Sequence, residues 1–169
     1  MVPLISLAAL VGPQEHKPDA RIPRPLDASD LPELKDLYLR AYDPEKEHSD
    51  GFHSVDRIGT IFDGAHGTPI PEASLLTVGP DGRITGAIII TDRHVGSSGP
   101  GTAFIAELFT HPDHRRQGVA EDLLRHAMHV LHTLGHNILA VSVHSGNAAA
   151  MALYLSRDFR RLNHRTGND

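Results

Sequence analysis

The sequence predicts a mixed α/β fold, with helices on both faces of a mixed sheet. Three observations predict it. Short apolar runs of strand length alternate with longer runs at helical period along most of the chain. Gly79-Pro80-Asp81-Gly82 is a turn signal between two such short runs, which reads as an antiparallel hairpin. The 169 residues, 40% of them hydrophobic, suit one domain with a real core, and no internal repeat or second domain is visible.

Taken in order, residues 1–20 read as a flexible N-terminal tail, and residues 21–169 as the single domain. Met1 to Gly12 is apolar but lacks the basic start and the cleavage site of a signal peptide, and Pro3 interrupts it. Arg21 to Pro25 suits an edge strand, given its prolines. Asp27, Ser29 or Asp30 can cap a helix carrying Leu31, Leu34, Leu37 or Tyr38, and Ala41 on one side. It ends near Tyr42, before Pro44. Asp43 to His53 is a polar, acidic loop, and Val55 to Phe62 is a second short helix. Ser74 to Val78 and Arg83 to Thr91 are the two hairpin strands. The run Ala87-Ile88-Ile89-Ile90 calls for burial on both faces. Gly96 to Gly101 is a loop. Phe104 to Thr110 is the next strand, closed by His111-Pro112. Val119 to Leu134 is a helix with Ala120, Leu124, Ala127, Met128 and Leu131 on one stripe, stopped by Gly135. Ile138 to Val143 is another buried strand. Ser145-Gly146-Asn147 is a turn and N-cap, Ala148 to Arg157 a helix, and Phe159 to Leu162 a last short strand.

The formal charge of −5 argues against a general nucleic-acid binder. The absence of cysteine removes disulfides, thiolate metal sites and a cysteine nucleophile. No apolar run approaches the ~20 residues of a membrane helix, and a cytoplasmic location is the default. The 13 histidines include His126, His129, His132 and His136 at spacings of three or four. They fall away from the apolar stripe, and no His-Glu-x-x-His pattern accompanies them, so no metal site is assigned. Neither a P-loop nor a nucleophile elbow occurs.

The stretch with chemistry is Arg115-Arg116-Gln117-Gly118-Val119-Ala120. It lies where a strand hands over to a helix. The first N–H groups of a helix have no internal partner and carry the positive end of its dipole, so such a turn can hold a phosphate or diphosphate. Gly118 permits an unusual φ and a close ligand. Arg115 and Arg116 can neutralise the remaining charge.

Together with its flanks this stretch resembles the GNAT acetyltransferase superfamily, over roughly Ile22 to Leu162. Three features carry the resemblance. A strand ends in Leu108-Phe109-Thr110-His111-Pro112. Arg115-x-x-Gly118-x-Ala120 follows it. Asn147-x-x-Ala150-x-x-Leu153-Tyr154 then precedes Phe159. The resemblance implies a GNAT-like, mostly antiparallel sheet that splays between the strands ending at Thr110 and Val143. It implies acetyl-CoA as cosubstrate, with its diphosphate on Arg115, Arg116, Gln117, Gly118, Val119 and Ala120. The pantetheine arm would run along Leu108, Phe109 and Thr110, meeting main-chain groups more than side chains. The implied reaction moves an acetyl group to a primary amine of a small molecule or peptide by direct attack in a ternary complex. The alternative is a non-catalytic acyl-CoA binding or sensing module.

Within that resemblance Asn147 and Tyr154 stand about two helical turns apart, so one can meet the pantetheine and the other the thioester sulfur. Tyr154, with an ordinary pKa of about 10, can protonate the leaving thiolate. Glu107 is the preferred general base, against a structural pairing with an arginine, with His111 and His144 behind it. Alternation places Glu107 on one face with Ile105 and Phe109. Tyr38, Tyr42 and Asp43 to Asp50 are the expected acceptor contacts. Asp158 stands where the family has a helix-ending glycine, at a modest conformational cost if φ is positive. The chain ends ten residues after Phe159, so the family's last strand is missing or short. That leaves a wall for a partner subunit to complete, as in a homodimer.

Overall fold

The computed structural model describes residues 4–14, 21–41, 57–93 and 102–162. Tyr42, the acidic loop from Asp43 to His53 and the loop from Gly96 to Gly101 lie outside these residues. The described strands form one eight-stranded sheet. They are β1 (Leu4–Leu10), β2 (Arg24–Pro25), β3 (Thr68–Pro69), β4 (Leu75–Val78), β5 (Ile84–Arg93), β6 (Thr102–Thr110), β7 (Ile138–His144) and β8 (Arg160–Arg161). Their order is β2-β4-β5-β6-β7-β1-β8, with β3 beside β5. Every pairing is antiparallel except β6 with β7.

Among the described residues four helices, α1 (Leu31–Ala41), α2 (Arg57–Phe62), α3 (Val119–Thr133) and α4 (Ala148–Ser156), cover the two faces. The triple isoleucine explains why two cores are needed. Ile88 and Ile90 point into the cluster with α3, and Ile89 into the cluster with α1 and α2. All three are fully buried.

The start of α1 follows the predicted capping chemistry. Asp27 caps a single 3-10 turn, Ala28–Asp30, which runs straight into the helix. The Ser29 N–H donates to the Asp27 carboxylate at 3.1 Å, and the Asp27 N–H donates back to Asp30 at 2.8 Å. Arg24 then forks onto both Asp30 oxygens at 2.9 Å, pinning β2 to the helix. This bidentate pair holds the Asp30 carboxyl below the usual carboxylate range.

The expected tail is a correction. Leu4–Leu10 is not loose but pairs along its whole length with β7, from Leu4 opposite His144 to Leu10 opposite Ile138. Leu7 and Ala9 are buried by this pairing, and burial of one leucine contributes about 1.5–3 kcal/mol. The short β8 then pairs with β1 at Leu7 and Ala8. The edge of β7 away from β6 is thus paired by β1, from within the chain.

Candidate functional site

The parallel pairing of β6 and β7 covers only Ala103 to Ile105 against Leu139 to Val141. Beyond it the two strands separate, and the expected splay lies between them. One feature that alternation alone did not anticipate coincides with the separation. Against β5, Glu107 lies opposite Ile89 and Ile105 opposite Ile90, so Ala106 is an extra residue, a β-bulge.

The bulge corrects the reading of which residues share a face. Ile105 joins the core under α3, whereas Phe109 joins the core under α1 and α2, because the extra residue inverts the alternation between them. Glu107 falls on the α2 side. It is 5% exposed, and its Oε1 accepts from Arg57 Nε at 3.0 Å. The pairing with an arginine, weighed above as the alternative to a general base, is thus present. Phe109 meets Tyr38 edge-on, with ring centroids 5.5 Å apart. Tyr38 is therefore a core residue rather than an acceptor contact.

Leu108 and Thr110 line the splay. The His111 N–H donates to Thr85 on β5 at 2.8 Å. Main-chain groups alternate in direction along an antiparallel strand, so those of Leu108 and Thr110 face the gap that β7 has left. Both side chains are half-buried.

The turn after β6 holds two residues of positive φ. Arg116 has φ 64° and Gly118 φ 79°. Gly118 is the N-cap of α3, which begins at Val119. Arg115, Arg116, Gln117 and Gly118 are exposed, while Val119 is buried and Ala120 half-buried. Arg115 also donates to the carbonyl of Ala41 at 2.6 Å, satisfying the last turn of α1 and tying it to this turn.

The acidic residues of the first turn of α3 do not leave it negative. Glu121 pairs with Arg157. Asp122 lies 3.2 Å from Arg21 and 3.3 Å from the buried Arg125. Arg21 donates as well to the carbonyl of Gln117 at 2.9 Å. Among the four histidines of this region, His129 and His132 are exposed as expected, but His126 and His136 are half-buried. Burial, and then the neighbouring Arg125 charge, hold His126 below its ordinary pKa. Among the described residues no cluster of three potential metal ligands occurs.

Gly86 is a site residue that the sequence reading passed over. A Cβ there would sit 2.7 Å from Val119 Cγ1 and 3.2 Å from both Leu123 Cδ1 and the Phe109 carbonyl. A bare strand position lets the first turn of α3 lie directly on β5. The available signal was a lone glycine inside a strand pattern. Arg57 and Arg21 carried no signal, since their partners are 50 and 101 residues away.

On the far side of the splay, Asn147 caps α4, its side-chain oxygen accepting from the Ala150 N–H at 3.1 Å. Tyr154 is buried against Phe159, with centroids 5.2 Å apart. Burial above all, and then the Glu107 charge, push the Tyr154 hydroxyl above the ordinary phenol range, so it stays protonated. Asp158 ends α4 with φ 66°, the positive value anticipated for it.

A sheet opened between two parallel strands, with a left-handed turn leading into a helix at one lip and a buried protonated tyrosine at the other, is the arrangement of an acetyltransferase fold. The chain belongs to the acetyltransferase (GNAT) family, whose pattern it matches over residues 31–159. Among solved structures, a GCN5-related N-acetyltransferase from Sphaerobacter thermophilus is similar with a TM-score of 0.66 and 19% identity. That alignment covers 94% of this chain but only 48% of the other. A ribosomal-protein-alanine N-acetyltransferase from Escherichia coli aligns with a TM-score of 0.64 and 23% identity, over 85% of this chain and 80% of the other. A GNAT family acetyltransferase from Brucella melitensis, in complex with acetyl-CoA, gives 0.64 and 16%, over 89% and 90%. At these identities the likeness is one of fold. No curated protein sequence matches the chain. No helix among the described residues is long and apolar enough to cross a membrane.

Proposed function

We propose that this chain is an acetyl-CoA-dependent N-acetyltransferase acting on a primary amine of a small molecule or peptide. The observation that carries the proposal is the β6–β7 splay, with the left-handed turn at Arg116 and Gly118 at one lip and Tyr154 at the other. The family membership and the acetyl-CoA complex of a structural neighbour support the choice of donor. The E. coli neighbour supports a peptide amine among the acceptors to be tested.

In this reading the donor's diphosphate rests on the N–H groups of Gly118, Val119 and Ala120, with Arg115 and Arg116 beside it. The pantetheine arm lies in the gap against the main chain of Leu108 and Thr110, with Phe109 holding the strand by its side chain. Asn147 lines the opposite lip. The acceptor nitrogen attacks the thioester carbonyl, a C–N bond forms and the C–S bond breaks. Tyr154 delivers its proton to the departing thiolate. The amine's proton leaves through water, with the Glu107 carboxylate as the end of that relay.

The test is thiol release from acetyl-CoA across a panel of amines, polyamines, aminoglycosides and peptides, with calorimetric binding of acetyl-CoA alongside. Acceptor-dependent release is expected, and Tyr154→Phe should lower kcat about a hundredfold while leaving acetyl-CoA affinity within a few-fold. Binding without release on any acceptor would turn the reading toward a sensing module, and absence of binding would overturn it. Full turnover by Tyr154→Phe would remove the acid role.

A further inference from the structure

The bulge at Ala106 creates a problem that one side chain solves. An extra residue in β6 has no partner on β5, and here β7 has also departed, its last pairing being Ile105 with Val141. Strand β6 is therefore held from neither side by regular pairing at Ala106, the residue where the splay begins. An unpaired main-chain carbonyl in a largely buried place costs about the worth of a hydrogen bond.

Arg57 occupies that place. Its Nη2 donates to the Ala106 carbonyl at 3.2 Å while its Nε donates to Glu107 Oε1 at 3.0 Å. One planar guanidinium thus grips the main chain of the bulge residue and the side chain of the next. Arg57 is itself 9% exposed, so its rotamer is set by packing. Behind it, Nη1 lies 3.2 Å from His66 Nε2. Since a guanidinium only donates, that nitrogen accepts, and the ring proton sits on Nδ1. Thr60 Oγ1 donates to the Arg57 carbonyl at 2.8 Å, closing the turn of α2 that presents the arginine.

We propose that Arg57 is a positioning residue of the acyl-transfer site, locking the Ala106 bulge and so fixing the direction in which β6 presents the Leu108 main chain to the thioester. This rests on the acetyltransferase reading above. Lysine cannot replace the fork, because a single ammonium on a flexible stem does not hold two acceptors in one plane. Loss of the lock lets β6 drift at its least supported point, and a misplacement of about 1 Å lowers turnover by up to about a hundredfold. The donor's grip is set elsewhere, by the turn from Arg115 to Ala120.

The experiment uses acetyl-CoA labelled with carbon-13 at the thioester carbonyl, bound to the full chain. Its NMR shift reports polarisation of that carbonyl and needs no acceptor. Wild-type protein is expected to move the resonance on binding. Arg57→Lys should return most of that displacement toward the free value while acetyl-CoA affinity, by calorimetry, changes less than about threefold, below a single factor of ten or 1.4 kcal/mol. Glu107→Gln leaves an oxygen for Arg57 Nε and the Ala106 contact untouched. It should keep the carbonyl shift, and it serves as the folded comparison if Arg57→Lys is unstable.

Arg57→Lys with a wild-type carbonyl shift would overturn the inference. So would a loss of affinity matching the loss of shift, or Glu107→Gln abolishing the shift as Arg57→Lys does. A wild-type protein that binds acetyl-CoA without moving the resonance would also overturn it, leaving the acetyltransferase reading standing. A wild-type protein that binds no acetyl-CoA would overturn both.

Discussion

Gly86→Ala asks whether the seat of α3 on β5 matters as the packing indicates. The added Cβ would meet Val119 Cγ1 at 2.7 Å, whereas carbon atoms rest at about 3.5–4.0 Å. Val119 is buried and β-branched, so its methyl cannot swing aside cheaply. The first turn of α3 must then lift by about 1 Å. Overpacking of this kind costs about 1–3 kcal/mol. The lower chain entropy of alanine in a strand offsets about 0.5–1 kcal/mol of that. For a domain of this length each kcal/mol is worth about 2–4 °C, so a net cost of up to about 2.5 kcal/mol should lower Tm by up to about 10 °C. With the donor seated as proposed, the same movement would displace the N–H groups of Gly118, Val119 and Ala120 from the diphosphate. A tenfold loss of acetyl-CoA affinity corresponds to about 1.4 kcal/mol, a reasonable share of a helix-terminus anion contact shifted by that much. Differential scanning calorimetry and isothermal titration read the two effects. The control is Gly86→Ala in a Val119→Ala background, where the clashing methyl is gone and the added penalty should shrink. Unchanged Tm and affinity in the single variant, or a penalty undiminished in the double, would refute the account of Gly86.

Two further outcomes follow from local geometry. Asp158 holds φ at 66°, where a side chain is disfavoured by about 1–2 kcal/mol, less for aspartate than for most residues. Asp158→Gly should therefore raise Tm by about 2–4 °C in thermal melts, and a fall would show that the aspartate makes a compensating contact. Asp30 has a folded pKa below its unfolded value, chiefly through Arg24. Its contribution is thus present above the ordinary carboxylate pKa near 4 and is lost as pH falls through the folded value. Asp30→Asn should lower Tm at pH 7 by the equivalent of about 1 kcal/mol, a figure reduced because Arg24 is half exposed. The gap between the two proteins should close below pH 4, and a gap constant from pH 7 to 3 would contradict the ion pair's role.

Much of this protein was determined by sequence alone. Local chemistry is written in short segments, so a cap among Asp27, Ser29 and Asp30, the hairpin at Gly79 to Gly82, the stripe of α3 and the strained end at Asp158 were all legible. The turn from Arg115 to Ala120, with Gly118 at positive φ before α3, was legible too, because a glycine and a helix start are properties of consecutive residues. The tertiary structure decided what depends on distant partners. Leu4–Leu10 reads as a tail until β7, more than 120 residues on, gives its N–H and C=O groups a ladder. The acidic first turn of α3 looks hostile to an anion until Arg21, Arg125 and Arg157 neutralise it. The partner of Glu107 is invisible until Arg57, 50 residues upstream, is brought to its carboxylate. The bulge at Ala106 exists only as a mismatch of register between two strands, and no residue in β6 announces it. A β-strand's faces follow from counting, but where the count slips is settled by its neighbours.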